Sequence, residues 1–355
     1  MISEECFTPE WIFQKSKELK YNDKNIIEKV IRAFSLLDML AESGCKFIFK
    51  GGSCLMLLLK NRRHRLSIDI DIICPPGTEI EQYLHDFKRF GFIDYQPVER
   101  IQRSVKIPKS HSKFFYQVAF LGENSRQECI LLDVLNEESH YDSVLQLPIN
   151  LPFFEIEGVP NSVNVPSLGD ILGDKLTAYA PNTTGIPYIK NGRDCSMEII
   201  KQLYDVGRIF DEITTLEITL RSFPKIAEVE MSYRKLTDNP VVIYDDIIQT
   251  SLCIATYGAE GKGNFDMLKN GISRIKNFMY GGNYLINNAI VDASRAAYIA
   301  ALLSKGISVI EKYNGNPLSI AKLEIKSSLP SRLNRLKRQS PEAYYYFAKV
   351  SELLG

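Results

Sequence analysis

Residues 47–74, FIFKGGSCLMLLLKNRRHRLSIDIDIIC, constrain the chain more than any other stretch. An apolar run meets two glycines, then a leucine-rich segment, a basic stretch and a second apolar run carrying Asp69 and Asp71. That order predicts strand, glycine turn, helix, basic loop and strand. Side chains alternate faces along a strand, so Asp69 and Asp71 are expected on one face and Ile68, Ile70 and Ile72 on the other, against a core. Two neighbouring carboxylates on an apolar strand repel and lose hydration, a cost that a cation between them offsets. Magnesium suits such a pair, because hard divalent ions take carboxylate and phosphate oxygens together.

The glycine turn fits the same chemistry. Gly51 and Gly52 let a backbone approach a ligand closely, and Ser53 is expected to open a helix whose first N–H groups favour an anion. A phosphate chain at residues 51–53 would reach a metal held by Asp69 and Asp71. Arg62, Arg63 and Arg65 on the connecting loop would add positive charge. Taken singly, a Gly-Gly-Ser is most often only a turn, and an Asp-x-Asp is common at surfaces. The joint arrangement is what carries specificity.

Lys50-Gly51-Gly52-Ser53 followed by Arg65-Leu66-Ser67-Ile68-Asp69-Ile70-Asp71 resembles the signature of the AbiEii/AbiGii-type nucleotidyltransferases. These are bacterial toxin-like members of the DNA polymerase β superfamily. Ile68 stands where that pattern usually has an acidic residue, a departure outside the metal ligands. Weaker echoes run to about Asp211. The resemblance implies an α+β fold: a polymerase β-like core with a mixed sheet flanked by helices, then a helical C-terminal domain. It implies transfer of a nucleoside monophosphate from an NTP to an acceptor hydroxyl, using two magnesium ions, with manganese as the alternative.

Size and composition agree with this without demanding it. A chain of 355 residues buries a sizeable core and is expected to form two domains. These are 1–165, a nucleotidyltransferase core with N-terminal helices, and 166–355, mainly helical, completing the active site and binding the acceptor. Forty-three Lys and Arg balance forty-three Asp and Glu, so no global field points to nucleic acid or membrane. Seven scattered cysteines read as reduced thiols, and with four histidines they form no zinc spacing. No signal segment or membrane span is evident, so a cytoplasmic location is expected.

In order, residues 9–42 read as helical, with Ile27, Val30, Ile31, Phe34, Leu37 and Ala41 as a packing stripe. Thr78 is placed to cap a helix through about Phe90, ended by Gly91. Residues 92–107 read as extended, and the basic stretch around Lys106, Lys109 and Lys113 as a polar turn. Strands are expected at 114–121 and 128–135, joined by a turn at 122–125, and an irregular connection with one or two short strands at 139–166. Asp133 is the one charge inside the apolar run 128–135. It is either a third carboxylate completing the metal site, as the resemblance implies, or a strand-end aspartate paired with Lys or Arg.

Ser167 is expected to cap a helix on which Lys175 shares the apolar face of Leu168, Ile171, Leu172, Leu176 and Tyr179. A lysine there needs an anionic partner or must snorkel to solvent. The run Asp174-Lys175-Leu176-Thr177-Ala178 matches a motif of the family whose lysine is taken to contact the triphosphate. On a continuous helix from about Asp194 to Phe210, Asp194, Lys201, Asp205 and Arg208 would share a second face, which ordinarily reads as a solvated ion-pair face. The resemblance implies an aspartate important for activity here; Asp205 is the first candidate and Asp194 the second. Helices are expected at 245–257, 265–280, 283–305 and 340–354, with a flexible link at 258–263. The basic cluster at 322–338 is either a solvated surface or a phosphate-backbone contact.

By resemblance, then, the catalytic set is Asp69, Asp71, Asp133, Lys175 and Asp205. Gly51, Gly52, Ser53, Arg65, Lys175 and Asp194 form the nucleotide site, and Asp69, Asp71 and Asp133 the metal ligands. The implied partners are an NTP, an RNA acceptor such as the 3′ end of transfer RNA, and a cognate antitoxin. A small molecule or a protein side chain competes as acceptor. A catalytically inactive nucleotide-binding module is the reading from a different class.

Overall fold

The computed structural model describes residues 1–59, 65–98, 108–124, 126–237, 239–280 and 282–355. The chain divides into two compact units. The first comprises Met1–Ser167 with Asn277–Gly282, and the second Leu168–Lys276 with Asn283–Gly355. Together they carry the mixed α+β architecture. No helix of the described residues is long and apolar enough to cross a membrane.

In the first unit the expected N-terminal helix is two: α1 (Pro9–Glu18) and α2 (Lys24–Glu42). The chain turns at Lys20, which has φ +52°, and Asp23 caps α2 by accepting from Asn25 N and Ile26 N. Ile27, Val30, Ile31, Phe34 and Leu37 are fully buried, while Ala41 lies at the margin. α2 also buries charge, held in pairs and hydrogen bonds. Arg32 pairs with Glu28 and donates to Gly91 O, and Glu28 accepts from Ala119 N.

Then follow β1 (Ile48–Lys50), α3 (Gly51–Leu58), β2 (Ile70–Cys74), β3 (Asp94–Val98), β4 (Lys109–Gln117), β5 (Gln127–Asn136), β6 (Val144–Pro148) and β7 (Ser162–Pro166). Among the described residues these strands form one seven-stranded sheet, ordered β3-β4-β5-β2-β1-β7-β6. The pairs β2·β5 and β1·β7 are parallel and the rest antiparallel. Apolar side chains of alternate residues, among them Phe49, Ile70, Ile72, Ile130, Leu132, Val134 and Phe114, supply the buried layer.

Three expectations are corrected here. The segment after Thr78 is not an α-helix but two short 3-10 turns, Ile80–Tyr83 and Phe87–Phe90, and the Thr78 hydroxyl donates to Pro75 O. The link between β4 and β5 is a 3-10 segment, Ala119–Asn124. Lys109 and Lys113 stand on strand β4 and not in a turn, because the pairing with β5 starts at Lys109. Lys106, Arg62 and Arg63 lie outside the described residues.

The second unit holds α4 (Leu168–Ala178), a hairpin of β8 (Ile189–Lys190) and β9 (Arg193–Asp194), then α5 (Ser196–Glu212), α6 (Glu217–Arg234), α7 (Val241–Ala255), α8 (Phe265–Ile275), α9 (Ile286–Ser304), α10 (Leu336–Gln339) and α11 (Pro341–Leu354). Nothing in the sequence pattern marked α6, whose interior Pro224 reads as a breaker. It persists because Phe223, Ile226, Ala227 and Met231 are buried along one side. The 258–263 stretch is a pinned turn and not a flexible link. Gly258 N donates to Cys253 O, Glu260 N to Thr256 Oγ1 and Lys262 N to Gln249 O. Within the basic cluster, Arg335 donates to Ala255 O and Lys337 to Ala321 O, so two of its cations serve internal packing.

Candidate active site

The glycine turn packs against the chain's own charged groups. Gly51 has φ +81°, and a β-carbon there would collide with the Asp71 carboxylate. At Gly52 a β-carbon would lie 2.7 Å from the Arg65 guanidinium and 2.8 Å from Ser67 Oγ. The glycines are therefore required by the close approach of Asp71 and Arg65. The helix α3 opens at Gly51, two residues earlier than expected, and Lys50 at its N-cap makes no side-chain cap bond. Ser53 does not head the helix. It is fully buried and its hydroxyl donates to Asp69 O at 2.6 Å, tying α3 to the residue that bears the first carboxylate.

Asp69 precedes β2 and is exposed; Asp71 is on β2 and half-buried, between the buried Ile70 and Ile72. Ile68 is half-buried, so the core face begins only at Ile70. Strand register then sets a row across the sheet. Lys50 on β1 faces Asp71, Asp71 faces Asp133 on β5, and Asp133 faces His111 on β4. The Asp133 carboxylate is held by Lys109 on one oxygen and by His111 Nδ1 on the other. Its partners are thus a lysine and a histidine, and both were hidden in the sequence because 106–113 read as a turn. Strand alternation begun at Lys109 would have placed Lys109, His111 and Lys113 on one face with Asp133.

Among the described residues no cluster of three or more His, Cys, Asp or Glu side chains is placed to hold a metal. Magnesium does not need one, since it binds through one or two carboxylates and completes its shell with phosphate oxygens and water. Asp69 and Asp71, with hard oxygens beside a helix start, fit that donor set. Asp133 as placed is engaged on both oxygens by Lys109 and His111. Arg65 is buried, bridges to Met279 through its backbone and donates to Leu66 O, so its guanidinium braces the turn at Gly52.

In the second unit Lys175 finds the anionic partner that its apolar face demanded. Its Nζ lies 2.7 Å from Asp205 Oδ2, and the two residues are 5 % and 0 % exposed. Asp205 is therefore no member of a solvated face. Arg208 pairs instead with Asp211 and with Asp292 on α9. Burial pushes the Asp292 carboxyl up from its ordinary value, although Arg208 and Arg295 oppose the shift.

Asp194 is parted from Asp205. It ends β9 ahead of α5, so it does not share the helical face that a continuous helix would give. It accepts from Ser196 N at 2.8 Å and Asn270 Nδ2 at 2.9 Å, with Arg274 at 3.4 Å. Hydrogen bonds from Ser196 first, then from Asn270, and the Arg274 charge hold its carboxyl below the usual range.

Residues 35–257 match the family described as nucleotidyl transferase AbiEii toxin, type IV toxin–antitoxin system. A comparison with curated proteins finds no match. Among solved structures, JHP933 from Helicobacter pylori is similar at 11% identity, covering 86% of this chain and 95% of that one, with a TM-score of 0.37. MenT4, a nucleotidyltransferase toxin from Mycobacterium tuberculosis H37Rv, is similar at 10% identity, covering 95% of this chain and 98% of that one, with a TM-score of 0.44. At such identities the assignment rests on the sequence match, which spans more than half of the chain and includes the glycine turn, Asp69, Asp71, Asp133, Lys175 and Asp205. The chain belongs to the AbiEii family of nucleotidyltransferase toxins.

Proposed function

We propose that this nucleotidyltransferase moves a nucleoside monophosphate from an NTP to the 3′ hydroxyl of an RNA, with transfer RNA as the first candidate acceptor, and that it needs magnesium. The observation that carries the reading is the packing of the Gly51 turn directly on Asp71. A triphosphate at the start of α3 would meet the N–H groups of a helix's first turn, which favour an anion, and lie beside the carboxylates. Asp69 and Asp71 are the residues that would hold magnesium; when bound, the ion neutralises triphosphate charge and polarises the α-phosphate.

The chain's own groups account for the rest. The acceptor oxygen attacks the α-phosphorus, its proton passes to a base, and pyrophosphate leaves. Asp133, oriented by Lys109 and His111, is the proposed base. Lys175 and Asp205, by resemblance the triphosphate contact and an aspartate needed for activity, form one buried pair, so each depends on the other. The cytoplasm supplies both NTP and RNA, and a cognate antitoxin is the expected counterpart of a toxin of this family.

The test is incubation with each α-labelled NTP, magnesium and total bacterial RNA, comparing wild type with Asp71→Ala. Label entering a transfer-RNA-sized band with wild type alone supports the reading and names the nucleotide. Label entering protein or small molecules instead overturns the RNA acceptor. Binding of NTP with no transfer to any of the three makes this chain an inactive nucleotide-binding module.

A further inference from the structure

The sheet of the first unit has a second face that the chemistry above uses only at one end. Along β5, Ile130, Leu132 and Val134 are buried, whereas Cys129, Leu131 and Asp133 point the other way. Along β4, Ser112, Phe114 and Tyr116 are buried, whereas Lys109, His111, Lys113 and Phe115 share the outward face. Register fixes the neighbours. Leu131 faces Lys113, which faces Gln96 on β3, and Cys129 faces Phe115. Leu131 is 36 % exposed, and Phe115 and Lys113 are half-buried. An aliphatic side chain, an aromatic ring and a lysine thus sit together, beginning two residues from Asp133, about 7 Å along the strand.

We propose that this outward patch of β4 and β5 is the track for the single-stranded 3′ end of the acceptor RNA, with Lys113 on a backbone phosphate and Phe115 and Leu131 under a base. The placement rests on the RNA-acceptor reading above. Its chemistry is that of single-strand recognition: bases present apolar faces that stack on aromatic or aliphatic surface, and phosphates take the cation between them. Lys109 and His111 are occupied by Asp133, which among the described residues of β4 leaves Lys113 as the cation beyond the carboxylate. A terminal hydroxyl at Asp133 then has its preceding nucleotide over Leu131 and Phe115. The open position of this row also explains an otherwise odd exposure of Leu131 in an apolar strand.

The experiment measures binding of a 5′-fluorescein-labelled single-stranded RNA with a free 3′ hydroxyl by anisotropy, across a salt series. Wild type, Lys113→Gln, Lys113→Arg and Phe115→Ala are compared, with NTP affinity measured separately without RNA. Phe115→Ala is expected to weaken RNA binding about tenfold, the range of one lost base stack. Lys113→Gln is expected to weaken it and to reduce the salt slope by about one, with Lys113→Arg restoring both. NTP affinity is expected to stay at the wild-type value. If wild type binds RNA and Lys113→Gln binds it equally with the same slope, the placement is wrong while the RNA reading stands. If wild type binds no RNA, the acceptor reading fails and this proposal with it. Should Phe115→Ala unfold, the half-exposed Lys113 variants decide the matter alone.

Discussion

Breaking the Lys175–Asp205 pair is the sharpest perturbation available. The ammonium and carboxylate are 2.7 Å apart, and their residues are 5 % and 0 % exposed. Removing one partner strands the other charge in a medium that solvates it poorly, and such changes cost about 3–5 kcal/mol. Lys175→Met or Asp205→Leu alone is therefore expected to lower the stability of the second unit by that amount. The double variant, which replaces both charges with apolar side chains of similar length, is expected to recover most of the loss, since buried pairs are often replaceable at little cost. Urea unfolding followed by far-UV ellipticity is the suitable assay: the second unit is helical, whereas the only tryptophan, Trp11, reports on the first. Activity separates the two roles. A double variant that is stable yet transfers no nucleotide shows that the pair serves the reaction as well as the fold. Single variants that lose under ~1 kcal/mol, against the cost argued for a stranded charge, or a double variant as unstable as the sum of the singles, would refute the burial argument.

Two further outcomes follow from local geometry. Gly51→Ala places a side chain at φ +81° against the Asp71 carboxylate. The left-handed backbone alone costs roughly 1–2 kcal/mol, and displacement of Asp71 is expected to reduce nucleotidyl transfer far more than the modest fall in melting temperature suggests; unchanged activity would contradict the contact. Asp194 has a folded-state pKa held below the usual carboxylate value, so its contribution to stability is present above that usual range and lost as pH falls through the depressed value. Urea midpoints of wild type and Asp194→Ala are expected to differ at neutral pH and to converge in acid; a constant gap would show that its hydrogen bonds do not depend on charge.

Much of this was readable in order along the chain. The run from Phe47 to Cys74 folds as strand, helix and strand because its apolar pattern and glycines act over a few residues. Asp69 and Asp71 stood out for the same local reason. The anionic partner that Lys175 requires followed from its place on an apolar helical face, although nothing in the chain named Asp205 as that partner. Where reading failed, the deciding contact was distant. Lys109 and His111 looked like a turn because the residues around them are polar, yet pairing with β5 draws them into a strand beside Asp133. Asp194 looked helical by spacing, but the β8–β9 hairpin ends before α5 and takes it off the helix.

The sequence by itself thus determined the local elements of the glycine turn, the pair of carboxylates at the head of an apolar strand and the family to which the chain belongs, since each depends on short-range order of residue types; that Asp69 stands just before the strand and not on it was left to the structure. The tertiary structure alone decided the glycines' purpose, set by Asp71 and Arg65 lying against them, and Ser53's role as a tie to Asp69. It alone decided the row Lys50, Asp71, Asp133 and His111 as well. Strand order and register pair residues up to sixty-two positions apart, and those are fixed by how the strands pack and not by any pattern within one of them.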